Sequence, residues 1–312
     1  MTWKVLITDG LESVGKEILT KSCIADDKKG IEAADLLQII PDYDAIIIRG
    51  RTKMTAEVIE AAKNLKVIGR MGVGVDNIDL NAAKTHHVTV VNAAVATTLA
   101  VAELTMGFMF SLAREIPRAD ASMKAGQWIK KELEGSELFG KTLGILGFGN
   151  IGKTVGKYAS ALGMKVIAFD PFRDQAYLAA QGAEWVSLDE LLNRADIITI
   201  HAPLTEQNRH LINDEAFSKM KNGVLIVDAA RGGILDEAAL LRALQSGKVG
   251  GAALDVYEKE PPVSLDLIKH PKVIATPHIG AQTKEAQLRA AVDISTEILN
   301  ALNGEPLRWK IV

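Results

Sequence analysis

Two lobes of the α/β class, each a doubly wound parallel sheet, are what this 312-residue sequence predicts. Short apolar runs alternate with helix-like segments from Val5 to Val91, the pattern of strands joined by helical crossovers. The same alternation restarts at Lys141 and continues to Ala275, after a long apolar stretch that suits a helix better than a strand. A length of 312 residues, at about 150 residues per domain, also gives two domains.

The expected strands of the first lobe are Val5–Ile7, Ala45–Ile48, Val67–Gly69 and Val88–Val91. Thr55 is placed to cap a helix carrying Val58, Ile59 and Ala62. Between Ala93 and Ala113 the chain is apolar nearly all round, but Thr97, Thr98, Glu103 and Thr105 interrupt it before about 18 clean apolar residues accumulate. A buried helix beginning near Thr98 and bridging the lobes is therefore expected. The second lobe should hold strands near Leu143–Leu146, Val166–Phe169, Ile197–Ile200, Leu225–Asp228, Ala252–Asp255 and Val273–Ala275. Ser187-Leu188-Asp189-Glu190 has the form of a capping box and should open a helix. The last helix, roughly Thr283 to Leu302, is expected to return to the first lobe. This divides the chain into a discontinuous domain of residues 1–97 plus 284–312 and a continuous one of residues 98–283.

Composition narrows the partners. Lys and Arg number 36 against 39 Asp and Glu, a net charge of −3, so no broad cationic surface for nucleic acid is implied. Cys23 is the sole cysteine, which excludes an internal disulfide and a cysteine metal cluster and suits a reducing compartment. No metal is expected. Thr2-Trp3-Lys4 leads straight into a strand without the features of a secretory signal, so a cytoplasmic location and no membrane association are expected.

The most informative local pattern is Gly147-Phe148-Gly149-Asn150-Ile151-Gly152, set between an expected strand and a helix, with a second strand ending at Asp170. In a dinucleotide site the first glycine permits the tight turn and the second lets pyrophosphate approach the backbone. The third lets the helix pack on the strand, while free helix amides face the phosphates. Asp170 would accept the adenosine ribose hydroxyls and repel a 2′-phosphate, which favours NAD over NADP, with Arg173 nearby as a countervailing charge. Ligands of such sheets bind outside the carboxyl ends of the strands, where Arg231, Glu260 and His278 follow three successive expected strands. Their types suit one reaction, hydride exchange between a 2-hydroxy acid and nicotinamide. His278 would be the base, Glu260 would hold its tautomer, and Arg231 would clamp the carboxylate as a bidentate fork.

With these motifs stand Gly69-Arg70-Met71-Gly72-Val73-Gly74-Val75-Asp76-Asn77-Ile78-Asp79, Ala230-Arg231-Gly232-Gly233, Gly251-Ala252-Ala253-Leu254-Asp255-Val256 and Pro277-His278-Ile279-Gly280. In that order, from about Val5 to Leu302, the chain resembles the D-isomer-specific 2-hydroxyacid dehydrogenases. The resemblance implies a flavodoxin-like substrate domain and a Rossmann NAD-binding domain, with Arg231, Glu260 and His278 as the catalytic trio. It implies cofactor contacts at Val73, Gly147, Gly149, Asn150, Ile151, Gly152, Asp170, Ala202, Pro203, Ala229, Ala230, Arg231, Asp255, His278 and Gly280, with Asp255 facing the nicotinamide amide. Substrate would meet Val73, Gly74, Arg231 and His278. In members whose substrate carries a phosphate, the Arg49-Gly50-Arg51-Thr52-Lys53 loop would supply Arg49, Arg51 and Lys53. A homodimer or higher homo-oligomer is implied, through the bridging helix and residues 119–138, with Trp128, Ile129 and Leu133 as apolar anchors. The chain departs from the family at Ala94, Thr97 and Ala100, where Pro, Asn and Ser are usual. Those changes at the hinge leave a short-chain 2-hydroxy acid open beside a phosphorylated one, and a nicotinamide-sensing scaffold is a third reading. Feedback through the regulatory extension of longer members is not expected.

Overall fold

The computed structural model describes residues 2–263 and 265–312, so Met1 and Ser264 lie outside it. It divides into two compact units, residues 1–97 with 281–312, and residues 98–280.

The first unit carries β1 (Trp3–Ile7), β2 (Cys23–Asp27), β3 (Ala45–Ile48), β4 (Val67–Arg70) and β5 (Thr89–Asn92), all parallel in the order β2-β1-β3-β4-β5. That is the flavodoxin-like order. β3 is buried at every position because helices cover both of its faces. One face packs Val5, Ile7, Ala45, Ile47 and Val67 on Ala290, Ala291, Ile294 and Ile298 of the Lys284–Asn303 helix, whose N-cap is Thr283. Each such Ile or Leu contributes about 1.5–3 kcal/mol by leaving water. The other face packs Leu6, Ile46, Ile48 and Ile68 against Leu36, Val58 and Ile59. Thr55 does cap the Ala56–Ala61 helix, accepting the Val58 amide. The last residues add an antiparallel edge to β5, with Ile311 N–H donating to the Val90 carbonyl at 2.8 Å. Glu297, only 1% exposed, anchors that segment by accepting the Arg308 and Trp309 amides, both at 3.0 Å.

The second unit carries β6 (Thr142–Leu146), β7 (Lys165–Phe169), β8 (Glu184–Trp185), β9 (Ile197–Ile200), β10 (Val224–Asp228), β11 (Val249–Leu254) and β12 (Val273–Ala275). They form one parallel sheet in the order β12-β11-β10-β9-β6-β7-β8. The strand order reverses between β6 and β9, and there the Rossmann crevice lies. The apolar stretch near Ala93 becomes the Thr98–Ala113 helix, with Ala102, Met106 and Met109 buried on the sheet side. No helix among the described residues is long and apolar enough to cross a membrane. Ser187 and Glu190 form the expected capping box.

The return to the first unit falls at Ala281 rather than at 284. Asp255 of the second unit still holds the Gly280 amide at 2.7 Å, whereas Gln287 already donates to the Ala281 carbonyl at 2.6 Å within the first. Two strands, β2 and β8, were not anticipated. β2 is an edge strand of mixed Cys-Ile-Ala-Asp-Asp sequence, and β8 has only two residues, so neither carries the apolar run that marks a buried strand.

Candidate active site

The glycine turn, Arg231, Asp255, Glu260 and His278 all lie past the carboxyl ends of strands of the second unit. Gly147, after β6, has φ of 91°, and a Cβ there would come within 2.8 Å of the His201 carbonyl and the Ala202 nitrogen. Only glycine allows both that backbone conformation and that approach to the loop after β9. A Cβ on Gly149 would meet nothing within 4 Å, so this glycine borders open space. A Cβ on Gly152 would overlap the Gly147 carbonyl. Turn, open approach and close packing thus fall on three successive glycines. Asn150 and Ile151 begin the Asn150–Ala161 helix, and their amides donate to no acceptor among the described residues. They are the positive end of a helix dipole facing that space, a fit for pyrophosphate.

Asp170, 9% exposed, ties the end of β7 to this turn, accepting the Phe148 amide at 2.7 Å and the Phe172 amide at 2.8 Å. The Arg173 guanidinium, the one charge that argued for NADP, stacks 4.7 Å from the Tyr177 ring centroid. After β9, the His201 ring sits within the protein with Nε2 2.9 Å from Thr199 Oγ1 and a buried Nδ1. Burial pushes its pKa down to about 3, so it stays neutral beside the glycine turn.

At the other half of the edge, His278 Nδ1 lies 2.8 Å from Glu260 Oε2. Their side chains are 45% and 39% exposed, so the pair is open to a ligand and adds little stability of its own. Burial alone would raise the Glu260 pKa. The hydrogen bond and charge of His278, the Tyr257 amide and the Arg231 charge outweigh it and hold Glu260 below its ordinary value. Glu260 is therefore an acceptor-only carboxylate at neutral pH, and the hydrogen of the shared bond belongs to Nδ1, leaving Nε2 as the basic nitrogen.

His278 has φ of 54°, a left-handed conformation that costs a non-glycine residue about 1–3 kcal/mol. Asp255, 1% exposed, keeps it there, because its Oδ1 accepts the Thr276 hydroxyl at 2.6 Å and the Ile279 amide at 2.7 Å while Oδ2 accepts the Gly280 amide at 2.7 Å. Asp255 thus shapes the turn that presents the imidazole, a task its sequence context did not disclose.

Arg231 follows β10, with Nη1 donating to the Ala230 carbonyl at 2.7 Å. Asp228 Oδ1 accepts the Ala230 amide at 3.0 Å, and the carboxyl is 2% exposed. Burial pushes its pKa up to about 7, the Asp255 and Glu237 charges add to the rise, and the Ala230 amide and Arg231 charge oppose it. Because this folded-state value exceeds the ordinary 3.8, the native state binds the extra proton, and stability is lost as pH climbs from about 4 to about 7. Asp228→Asn keeps the acceptor and removes the titration. Urea unfolding should show the variant gaining on the parent by roughly 4 kcal/mol at pH 8, with no gain at pH 4. Parallel stability curves for the two proteins would disprove this.

In the first unit, Asp9 organises the loop after β3, accepting the Arg49 amide at 2.7 Å, the Thr52 amide at 3.1 Å and the Thr52 hydroxyl at 2.7 Å. Sequence reasoning passed over Asp9, although an acid directly beyond the carboxyl end of β1 is a recognisable position. Arg51 is committed to structure, bonding the Ile31 and Thr8 carbonyls at 2.8 and 3.1 Å and Asp9 at 3.2 Å. Arg49 is half-buried, with Nη2 3.5 Å from Gln282 Oε1, and the Lys53 side chain has no ionic or hydrogen-bond partner among the described residues. After β4, the Val73 carbonyl accepts Asn92 Nδ2 at 2.6 Å, and the amides of Val73 and Gly74 donate to nothing among the described residues. Two consecutive free amides make an anion-binding concavity.

A cavity of about 570 Å³ in the second unit lies at the opposite, amino edge of the sheet, among Lys221, Asp196, Gly223, Gly250 and Lys272. Lys221 and Asp196 pair there at 2.8 Å, and the acid–base chemistry lies elsewhere.

Residues 106–280 match the D-isomer specific 2-hydroxyacid dehydrogenase NAD binding domain. D-3-phosphoglycerate dehydrogenase of Archaeoglobus fulgidus is 46% identical over 307 residues, which are 98% of this chain and 58% of that relative. Hydroxypyruvate reductase of Thermotoga maritima is 46% identical over 304 residues, 96% of this chain and 98% of that one. Among solved structures, a glyoxylate reductase from Paecilomyes thermophila superimposes with a TM-score of 0.92 at 32% identity, covering 99% of this chain and 98% of that one. The chain thus spans somewhat more than half the length of the phosphoglycerate dehydrogenase, and nearly all of the hydroxypyruvate reductase.

Proposed function

The chain belongs to the D-isomer-specific 2-hydroxyacid dehydrogenases, and we propose that it oxidises D-3-phosphoglycerate to 3-phosphohydroxypyruvate with NAD, the entry reaction of serine biosynthesis in the cytoplasm. The observation that carries the chemistry is the Glu260–His278 pair at 2.8 Å within reach of the Arg231 charge. NAD, when bound, supplies the hydride acceptor. Asn150 and Ile151 amides receive its pyrophosphate and Asp170 its ribose, with Ala202, Pro203, Ala229, Ala230 and Gly280 forming the rest of the edge. His278 Nε2 takes the proton of the substrate hydroxyl, Glu260 stabilises the resulting imidazolium, and Arg231 grips the carboxylate and the developing carbonyl. The free amides of Val73 and Gly74 are the anion site of the first unit, and Arg49 and Lys53 are its cations for phosphate.

Hydroxypyruvate or glyoxylate reduction is the second reading, favoured by the relative of equal identity that matches this chain end to end. A panel of 2-hydroxy and 2-oxo acids with both nicotinamide cofactors separates the two. Turnover of D-3-phosphoglycerate with NAD supports the first, and failure there with reduction of hydroxypyruvate or glyoxylate replaces it by the second. Asp170→Ala should weaken NAD binding by about 10-fold and narrow its preference over NADP, as expected for hydrogen bonds to a charged acceptor. An unchanged preference refutes the ribose assignment. A homodimer is part of this reading, through the Thr98–Ala113 helix and residues 119–138, where Trp128 is 78% exposed and Ile129 and Leu133 are half-buried.

A further inference from the structure

The segments that carry Arg231 and Glu260 are tied together shortly after Arg231 and shortly before Glu260. Glu258 N–H donates to Glu237 Oε1 at 2.6 Å, and Glu237 N–H donates to Glu258 Oε1 at 3.1 Å. Each carboxylate thus holds the other's backbone. His210 Nε2 sits 3.1 Å from the same Glu258 oxygen, and the His210 amide donates to the Gly233 carbonyl at 2.7 Å. His210 has φ of 51°, so a third loop is also held in a left-handed conformation at this point. Between the clasp and the trio, Gly232 lies so close to the Tyr257 carbonyl that any Cβ would overlap it. Tyr257 N–H in turn donates to Glu260 Oε1 at 3.2 Å.

Two facing acids are an unfavourable way to join loops unless the join has a purpose. Burial raises the Glu237 pKa, and the charges of Glu258 and Asp236 raise it further, against the Glu258 amide bond and the His210 charge. Helix capping explains only one of the two bonds, the one in which Glu258 accepts the free amide of the first helical residue, Glu237. Asp236 already caps the Glu237–Gln245 helix, accepting the Ala239 amide at 2.9 Å. The return bond from the Glu258 amide to Glu237 serves no helix end, and the two together set the spacing between the Arg231 loop and the Glu260 loop.

We propose that Glu237 and Glu258, buttressed by His210, are positioning residues that keep Glu260 aligned on His278 relative to Arg231. The proposal rests on the dehydrogenase reading of the site, and it assigns these three residues no contact with substrate or cofactor. The Tyr257 amide and the Gly232 contact carry the alignment from the clasp to the Glu260 carboxylate.

The test uses the full chain and the variants Glu258→Ala, Glu237→Ala and Glu258→Gln, with His278→Ala to assign the imidazole signal. The hydrogen bond from His278 Nδ1–H to Glu260 is read directly by proton NMR as a downfield resonance. The same samples are assayed for kcat and KM with D-3-phosphoglycerate, for NAD affinity and for Tm. Glu258→Ala and Glu237→Ala should broaden or remove the resonance and lower kcat by about 10-fold, with KM and NAD affinity within about twofold, the pattern of misplaced chemistry. Glu258→Gln retains an acceptor oxygen and should recover the resonance and most of kcat. A lowered Tm with the resonance intact and kcat preserved overturns the proposal, as does NAD affinity falling in step with kcat. If the parent protein turns over no 2-hydroxy acid, the dehydrogenase reading fails by itself. The resonance in parent and variants then still decides whether the clasp holds Glu260 on His278.

Discussion

His278→Ala lowers turnover of the 2-hydroxy acid by about 100-fold or more while NAD affinity stays nearly unchanged, since general-base catalysis contributes about that much. The structure separates the two effects. The imidazole follows β12, presented by the Asp255-braced turn with no partner for its Nε2 among the described residues, whereas the helix amides that suit pyrophosphate follow β6. Steady-state kinetics paired with a fluorescence titration of NAD measures both quantities. Equal losses of turnover and of NAD binding would show that His278 supports the fold rather than the proton transfer. His278→Gln offers a control, because an amide can hydrogen-bond but cannot take up a proton at neutral pH.

Arg231→Lys should cost nearly as much, about 100-fold in kcat/KM, although the charge is kept. Lysine presents a point charge, and one ammonium cannot hold a carboxylate and a developing carbonyl oxygen in the plane that a guanidinium fork defines. The Ala230 carbonyl, which Arg231 Nη1 holds at 2.7 Å, would lose its planar donor as well. The loss should appear in kcat as well as KM, because the carbonyl oxygen gains charge only as hydride leaves. A variant with normal kcat and raised KM would reduce Arg231 to a ground-state carboxylate binder.

Much of this architecture was legible because buried parallel strands leave a plain signature. β3 and β9, buried throughout, coincide residue for residue with the apolar runs Ala45–Ile48 and Ile197–Ile200, and the half-buried edge strand β12 with Val273–Ala275, whose residues are still all apolar. β2 and β8 escaped because an edge strand has one neighbour and a half-exposed face, so mixed or polar residues suffice. Thr55 and Ser187 betrayed helix starts through chemistry confined to four residues. Glu260 and His278 could be picked out as strand-end residues of complementary type, and the structure brings them within a hydrogen bond. Asp228 and the turn-holding use of Asp255 were not legible, since most of their partners are backbone amides that become neighbours only after folding. Arg51 illustrates the converse. Its sequence context matches that of Arg49 and Lys53, but Asp9 and two carbonyls occupy its guanidinium.

The first unit is assembled from two separate stretches, residues 1–97 and 281–312, while the second is one uninterrupted stretch. During synthesis the stretch from 98 to 280 can therefore complete its core while the opening 97 residues still lack a cover for Val5, Ile7, Ala45 and Val67. Only when Ala290, Ile294 and Ile298 leave the ribosome does that face become dry. A nascent chain halted before them presents a greasy half-sheet, and a chaperone that recognises exposed aliphatic surface should engage it there and release it once the closing helix has docked.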